Sequence, residues 1–454
     1  MKKFRSYQPE QLLLLPQSID DWLPEDHLAR FIDDLIEQLD LSEIIDSYNY
    51  DKGGQPPYHP LMMTKLVVYS YCVGVLSSRR IEKATWEQVP FRVLAANQHP
   101  DHHTIAQFRK RHLKALAGLF QQVLVIAKQN GLLKLAHVSV DGTKLAANAS
   151  IYQTVSYEQL LKKEENLSKH VDELRKQVQA LLEKADQIDA EEDALYGKER
   201  GDELPKALRT KEGRLAKIKE SLKAMKEAGM DVAASQQKAE QEPKSNDAEK
   251  PSSKTKKEKR KRGSGGAKVV RNVTDPDSHI MRCAGGNWIQ GYNAQAVVDE
   301  EAQVIVAAAL TTCTNDMQQL EPMLEKTKLM TGRMPDTVTA DAGYFNDKQI
   351  KSRKLKDVNL LIPAPNRPPM KSENKVGKRM FPASDTMREK LSKDENKKLY
   401  RRRKAIIEPV FGQIKGVRQF RQFTFRGLLE AELEWNLVCM THNMMKIYRS
   451  KHVW

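Results

Sequence analysis

The chain has 454 residues, 40% hydrophobic and 6% aromatic, with 75 Lys and Arg against 60 Asp and Glu and a net charge of +15. That apolar content can bury more than one core, yet the longest apolar stretch, Leu61 to Leu76, is interrupted by Lys65 and is shorter than the roughly 20 residues that span a bilayer, so no membrane segment is expected. Met1-Lys2-Lys3-Phe4-Arg5-Ser6 runs into mixed, acidic sequence rather than the apolar core of a secretory signal, which predicts a cytosolic protein. Cys72, Cys283, Cys313 and Cys439 lie far apart with no CxxC pair, which argues against a zinc site and a disulfide framework.

The charge is unevenly placed. Residues 1–350 carry 50 basic and 50 acidic side chains, whereas residues 351–454 carry 25 and 10, so the whole excess belongs to the last 104 positions. This points to a polyanion partner. The alternative is a solubilising face with no ligand.

In chain order, residues 1–130 read as a helical N-terminal domain. Leu28, Phe31, Ile32, Leu35, Ile36 and Leu39 form one helical stripe. Gly53-Gly54-Gln55-Pro56-Pro57 breaks the chain, and Pro60 suits the first turn of a helix from Leu61 to about Leu76. Short helices are expected over Arg79 to Trp86 and Phe91 to Ala96. Asp101-His102-His103-Thr104 then caps a helix beginning near Ile105, whose exposed face is predicted to carry Gln107, Arg109, Lys110, Arg111 and Lys114. Short helices ending in a capped basic one resemble a helix-turn-helix reader, which makes Arg109 and Arg111 candidate DNA contacts. His102 and His103 fit a cap or DNA contacts better than metal ligation.

Leu135 to Asp141 is a β-branched run closed by Gly142, predicted as a buried strand with an acid at its end. Residues 148–232 are read as an insertion. Within it Leu167, Val171, Leu174, Val178, Leu181, Ala185, Ile188 and Leu195, and then Leu208, Leu215, Ile218, Leu222 and Met225, keep a 4-3 alternation that predicts an antiparallel helical hairpin, either self-packed or a dimerisation arm. Residues 233–288 follow as a basic linker and return segment. Lys254 to Arg262 holds seven basic residues and one acid there. Asp275 and Asp277 read as turn residues.

The remainder, 289–454 with 131–147, predicts an α/β domain: a strand pair over Tyr292 to Asp299 and Gln303 to Thr312, a helix over Asp316 to Met330, a strand over Thr337 to Asp341, a helix over Asp347 to Leu355, a strand over Val358 to Pro363, and a long helix from about Ser392 to Lys415. Leu428, Leu429, Leu433, Leu437, Met440 and Met444 mark a core helix. Trp288 and Tyr344 are better placed in a core than stacked on a base.

Asp141 and Asp341 each end a short apolar strand, where an acid projects into a crevice at the sheet edge. Glu408 is the sole acid from Lys398 through Arg426, a stretch with nine Lys or Arg. Three carboxylates from separate elements can hold a pair of Mg²⁺ ions with open positions for in-line displacement at phosphorus. Taken singly, each acid is more simply a turn residue or a partner for Arg; the strand order and the basic field favour the site.

The motifs Val138-Ser139-Val140-Asp141-Gly142-Thr143, Gly291-Tyr292-Asn293-Ala294-Gln295, Ala340-Asp341-Ala342-Gly343-Tyr344 and Glu408-Pro409-Val410-Phe411-Gly412-Gln413-Ile414-Lys415 resemble those of bacterial insertion-sequence transposases of the DDE type. The resemblance extends over nearly the whole chain. It implies a ribonuclease H-like mixed sheet flanked by helices, preceded by an all-α domain and interrupted by the insertion. It further implies that Asp141, Asp341 and Glu408 are catalytic residues and ligands of two Mg²⁺ ions, with Mn²⁺ able to substitute. Water would cut at the element's end, and the freed 3′-hydroxyl would attack target DNA. Tyr400, Arg403 and Lys415 would contact DNA near the scissile phosphate. Four residues rather than three separate Arg403 from Glu408, and Lys404 stands at the expected spacing; Arg401 belongs to the same basic cluster. The implied partners are the terminal inverted repeats, target DNA and further copies of the chain, in a homodimer or higher oligomer on DNA. A nuclease of the same fold that does not join, or a catalytically inactive DNA-binding regulator, are the alternative readings.

Overall fold

A computed structural model describes residues 18–48, 56–156, 270–283, 285–364 and 382–450, with isolated helical positions between 161 and 223. The predicted helical hairpin therefore lies almost entirely outside the described residues, and the Lys254 to Arg262 tract lies wholly outside them. The chain divides into two compact units, Met1–Asn148 with Ile280–Trp454, and Ala149–His279.

In the first unit the N-terminal region is helical: α1 (Leu28–Glu37), α2 (Ser42–Ile45), α3 (Pro60–Val73), α4 (Ser78–Glu87), α5 (Val89–Leu94) and α6 (His102–Gln129). Pro60 occupies the first turn of α3, after His59, whose Nδ1 accepts the Leu61 N–H. Nearly all of α3 is buried, including Lys65, whose ammonium pairs with Asp33 and Glu37 of α1 at 2.6 Å each. That pairing allows a cation inside an otherwise apolar helix. Asp101 caps α6 as expected, its Oδ1 accepting the N–H groups of His103 and Thr104.

A mixed sheet is built from β1 (His137–Ala146), β4 (His279–Arg282), β5 (Trp288–Asp299), β6 (Ile305–Thr311), β7 (Thr337–Ala340) and β8 (Asn359–Leu361). β1 is central. It pairs antiparallel with β5 on one side and parallel with β7 on the other; β8 continues parallel beyond β7, and β4 and β6 both pair with β5. Around the sheet lie α7 (Leu320–Thr331), α8 (Asp347–Ile350), α9 (Pro382–Ser392), α10 (Asp394–Gly412) and α11 (Leu428–Arg449). Val138, Val140, Val297, Val306, Leu324, Val338 and Leu360 form the core between sheet and helices. The buried face of α11 packs against both α6 and the β6 side of the sheet, so helical region and sheet share a core.

Several boundaries differ from the sequence expectation. β1 does not stop at Asp141; it runs on to Ala146 because β5 is long enough to keep pairing with it. α7 starts at Leu320, which leaves Asp316 in the preceding turn. The long helix expected from Ser392 is broken between α9 and α10 and closes in a π-helical turn, Gln413–Val417. Pro409 lies inside α10, and the Ala405 carbonyl that its missing N–H leaves unpaired accepts instead from Gln303 Nε2 at 2.9 Å. Leu429, assigned above to the core stripe, is 66% exposed, whereas Leu437, Met440 and Met444 are buried.

Within the second unit, β2 (Thr154–Ser156) and β3 (Val270–Asn272) form an antiparallel pair. Asn272 Nδ2 donates to Ser150 O and Thr154 Oγ1. Asp275 begins the expected turn, its carbonyl accepting the Ser278 hydroxyl at 2.7 Å.

Candidate active site

The strand register brings the two aspartates together. The parallel ladder between β1 and β7 ends at the pair Val140↔Ala340. Beyond it β1 continues beside β5, while the other chain turns into a 3-10 helix, Ala342–Tyr344, capped by Asp341. Asp141 and Asp341 are the next residues on each side of that split, at the kind of strand-end crevice where parallel sheets bind ligands. Local backbone groups hold both: Asp141 Oδ1 accepts the Gly142 N–H and Asp341 Oδ1 the Gly343 N–H, each at 2.8 Å.

Arg403 reaches into this crevice from α10. Its Nη1 donates to Asp141 Oδ2 at 3.1 Å. The Asp141 carboxyl is pushed up to about 6, first of all by burial, against the pull of the Gly142 N–H and the Arg403 guanidinium and with a smaller push from the nearby carboxylates Asp341 and Asp316. An acid disfavoured as an anion by its surroundings, beside a second acid, is a place where a cation is welcome.

Glu408 does not join them. It lies on an exposed face of α10, five residues beyond Arg403 and so about 140° around the helix and about 7.5 Å along it. Among the described residues no three His, Cys, Asp or Glu groups converge closely enough to enclose a metal ion. Asp141 and Asp341 nonetheless offer the hard oxygen donors that Mg²⁺ prefers. Of the other predicted contacts, Lys415 is half-buried, donating from Nζ to Lys144 O at 2.8 Å, and burial lowers its pKa. Arg401 and Lys404 are exposed and Tyr400 is half-buried.

A further set of residues meets at Asp316; no role for them was legible in the sequence, although Asn293 and Gln295 stand in the Gly291 to Gln295 motif. Asn293 and Gln295 of β5 are buried, and both amide groups donate to Asp316 Oδ1 at 2.7 Å. Lys144 Nζ lies 3.8 Å from the same oxygen. The Tyr344 hydroxyl donates to Gln295 Oε1, so Tyr344 is a buried hydrogen-bonding residue and not a stacking surface. Two amides at alternate positions of β5 were the available clue. Trp288, expected in a core, is 60% exposed.

In the helical region one expectation is overturned. Arg109 is not on an exposed face of α6; it is 5% exposed, and its guanidinium donates to Leu76 O, Tyr71 Oη and Thr424 Oγ1 and lies 3.6 Å from Glu434. A guanidinium occupied in this way has no face left for a phosphate. Arg111 is exposed, bonded to Ser47 O and set over the Tyr48 ring, beside a groove of 1220 Å³ that Gln107 and Lys110 also line. His102 pairs with Glu82 at 2.8 Å rather than with any cluster of ligands.

No single helix among the described residues is long and apolar enough to cross a membrane. No curated protein and no solved structure matches the chain. Two family models do: a transposase domain over residues 17–111 and a transposase DDE domain over residues 268–444. The first takes in the helices from α1 to the start of α6, and the second the strands β3 to β8 and the helices α7 to most of α11, including Asp341, Arg403 and Glu408. Together they make this chain a DNA transposase of the DDE insertion-sequence class.

Proposed function

We propose that the protein cuts DNA strands at the ends of its element and joins the freed 3′-hydroxyl to target DNA, with Asp141, Asp341 and Glu408 as the catalytic carboxylates. The observation that carries this reading is the register Val140↔Ala340, which sets Asp141 beside Asp341 while Arg403, from the helix that also bears Glu408, is bonded to Asp141. The arrangement of strands, with β6, β5 and β1 antiparallel neighbours and β7 and β8 parallel to β1, supports a ribonuclease H-like catalytic domain. These acids would hold divalent ions, which would supply activation of the attacking oxygen and stabilisation of the leaving one. The chain's own part is to present the donors: Asp141 comes from a strand paired on both sides up to Val140, Asp341 is locked by its own cap, and Glu408 is carried on α10, apart from the other two. Arg401 and Lys404, exposed on that helix, hold the phosphate backbone, and Arg111 with Lys110 contacts a second stretch of DNA.

The test is a DNA fragment carrying the element's terminal repeats, incubated with protein and Mg²⁺ and resolved on a denaturing gel. Asp141→Ala, Asp341→Ala and Glu408→Ala should each abolish cleavage and strand transfer while gel-shift binding survives. Cleavage that persists in all three variants would remove this site assignment.

A further inference from the structure

The turn of α10 that bears Arg403 is seated on the sheet by polar bonds. The buried apolar residues of α10, Ile406, Ile407 and Val410, all come after it. Along β1, His137, Ser139 and Asp141 alternate with Val138 and Val140, so the two sets point to opposite faces. The valines belong to the apolar core. His137 and Ser139 are 4% and 0% exposed, and lie on the face where Ser139 meets Arg403.

These polar groups are joined in series. Glu300 Oε2 lies 2.9 Å from His137 Nδ1, and His137 Nε2 lies 3.1 Å from Thr339 Oγ1 on β7. Thr339 Oγ1 is 2.8 Å from Ser139 Oγ, which donates to the Arg403 carbonyl at 3.5 Å. The other carboxylate oxygen of Glu300 forms an ion pair with Arg402. Glu300 is fixed by its backbone as well, its N–H donating to His137 O at 3.0 Å. The side chain of residue 402 and the carbonyl of residue 403 are thus both held, and the Arg403 guanidinium falls on Asp141. Buried polar groups cost stability unless each finds a partner, and apolar ones would seat a helix as firmly. What directed bonds add is a single arrangement.

We propose that Glu300, oriented by His137, is a positioning residue for the reaction: by holding Arg402 and backing the polar seam, it fixes the seating of α10 that places Arg403 on Asp141. This rests on the reading of Asp141 as a catalytic carboxylate. The experiment is single-turnover cleavage of the terminal-repeat fragment at saturating protein and Mg²⁺, with melting curves to check folding. Glu300→Ala should slow cleavage about 10- to 100-fold, as misplaced reacting groups do. Glu300→Gln, which keeps an oxygen for Arg402 and an amide for His137, should recover most of the rate. In an Arg403→Ala background Glu300→Ala should cost no more than about 2-fold, because residues acting through one contact are not additive. Arg402→Ala, at an exposed side chain, should repeat this pattern and stands in should Glu300→Ala not fold. An equal loss from Glu300→Ala with and without Arg403 would mark Glu300 as structural only and overturn the proposal, as would an unslowed Glu300→Ala or Arg403→Ala. Inactive Asp141→Ala then leaves the catalytic reading in place; Asp141→Ala as active as the parent removes both.

Discussion

Arg403 Nη1 lies 3.1 Å from Asp141 Oδ2, so a cation that the family resemblance assigns to DNA is already bonded to one of the proposed catalytic carboxylates. The pair is mostly enclosed, with side chains 11% and 22% exposed, and it is one of the two influences that pull the Asp141 carboxyl down. Removing the guanidinium should therefore raise that carboxyl above about 6. Arg403→Ala should move the acid limb of the cleavage rate to higher pH, and Arg403→Lys should move it less. A limb that stays in place would show that Arg403 does not act on Asp141.

The same shift has a consequence for stability. Asp141 is raised in the folded protein relative to its ordinary value, so the folded state holds the proton more tightly than the unfolded one. Its contribution is fully present below the unfolded value and is lost as pH rises through about 6. Asp141→Asn should accordingly stabilise the metal-free protein at pH 7–8, by no more than about 3 kcal/mol, and the gain should vanish near pH 4. Added Mg²⁺ should raise the melting temperature of the parent more than that of the variant, and chelator should reverse it. Melting curves at three pH values check the sign.

Arg109 and Arg111, two residues apart on α6, should behave oppositely. Breaking the enclosed Arg109–Glu434 pair strands a buried charge, which costs about 3–5 kcal/mol. Arg109→Ala should thus lower the melting temperature sharply and leave the salt dependence of DNA binding in the surviving folded protein unchanged. Arg111→Ala should do the reverse. A stable Arg109→Ala variant with a flattened salt slope would contradict the burial seen here.

For the basic face of α10, Arg401→Ala and Lys404→Ala should each reduce the slope of log affinity against log salt by about 0.9 if the DNA is duplex there. Lys415→Ala should change it less, since that ammonium is half-buried on the Lys144 carbonyl. Filter-binding or anisotropy titrations across a salt series distinguish the three.

Gly142→Ala tests the space over the site. The added methyl would lie 2.4 Å from Gln295 Nε2, and overpacking of this kind costs about 1–3 kcal/mol. Cleavage should fall more than stability, because the displaced groups flank Asp141. A variant of full activity would mean that the Gln295 amide is free to shift.

Local patterns in the sequence carried the elements well where one principle dominated. The apolar stripe of α1, the proline at the start of α3, the aspartate cap of α6 and the β-branched runs of β1 and β7 all appear in the structure. The two aspartates were legible for the same reason, each following a short apolar run. What the sequence could not convey was which face a charged residue takes. Arg109 belongs to a basic stretch and reads as solvent-facing, yet its partners Tyr71, Thr424 and Glu434 lie 38, 315 and 325 positions away in the chain. Asp316 read as the opening of a helix, and only the folded strand β5 shows that Asn293 and Gln295 await it.

The proline in α10 has a mechanical result. By giving up the Ala405 carbonyl to Gln303, at the turn between β5 and β6, it fastens the helix to the sheet three residues before Glu408. The helix cannot slide along the sheet without breaking that rivet. Glu408 is thus within one helical turn of a contact that ties α10 to the connection between β5 and β6.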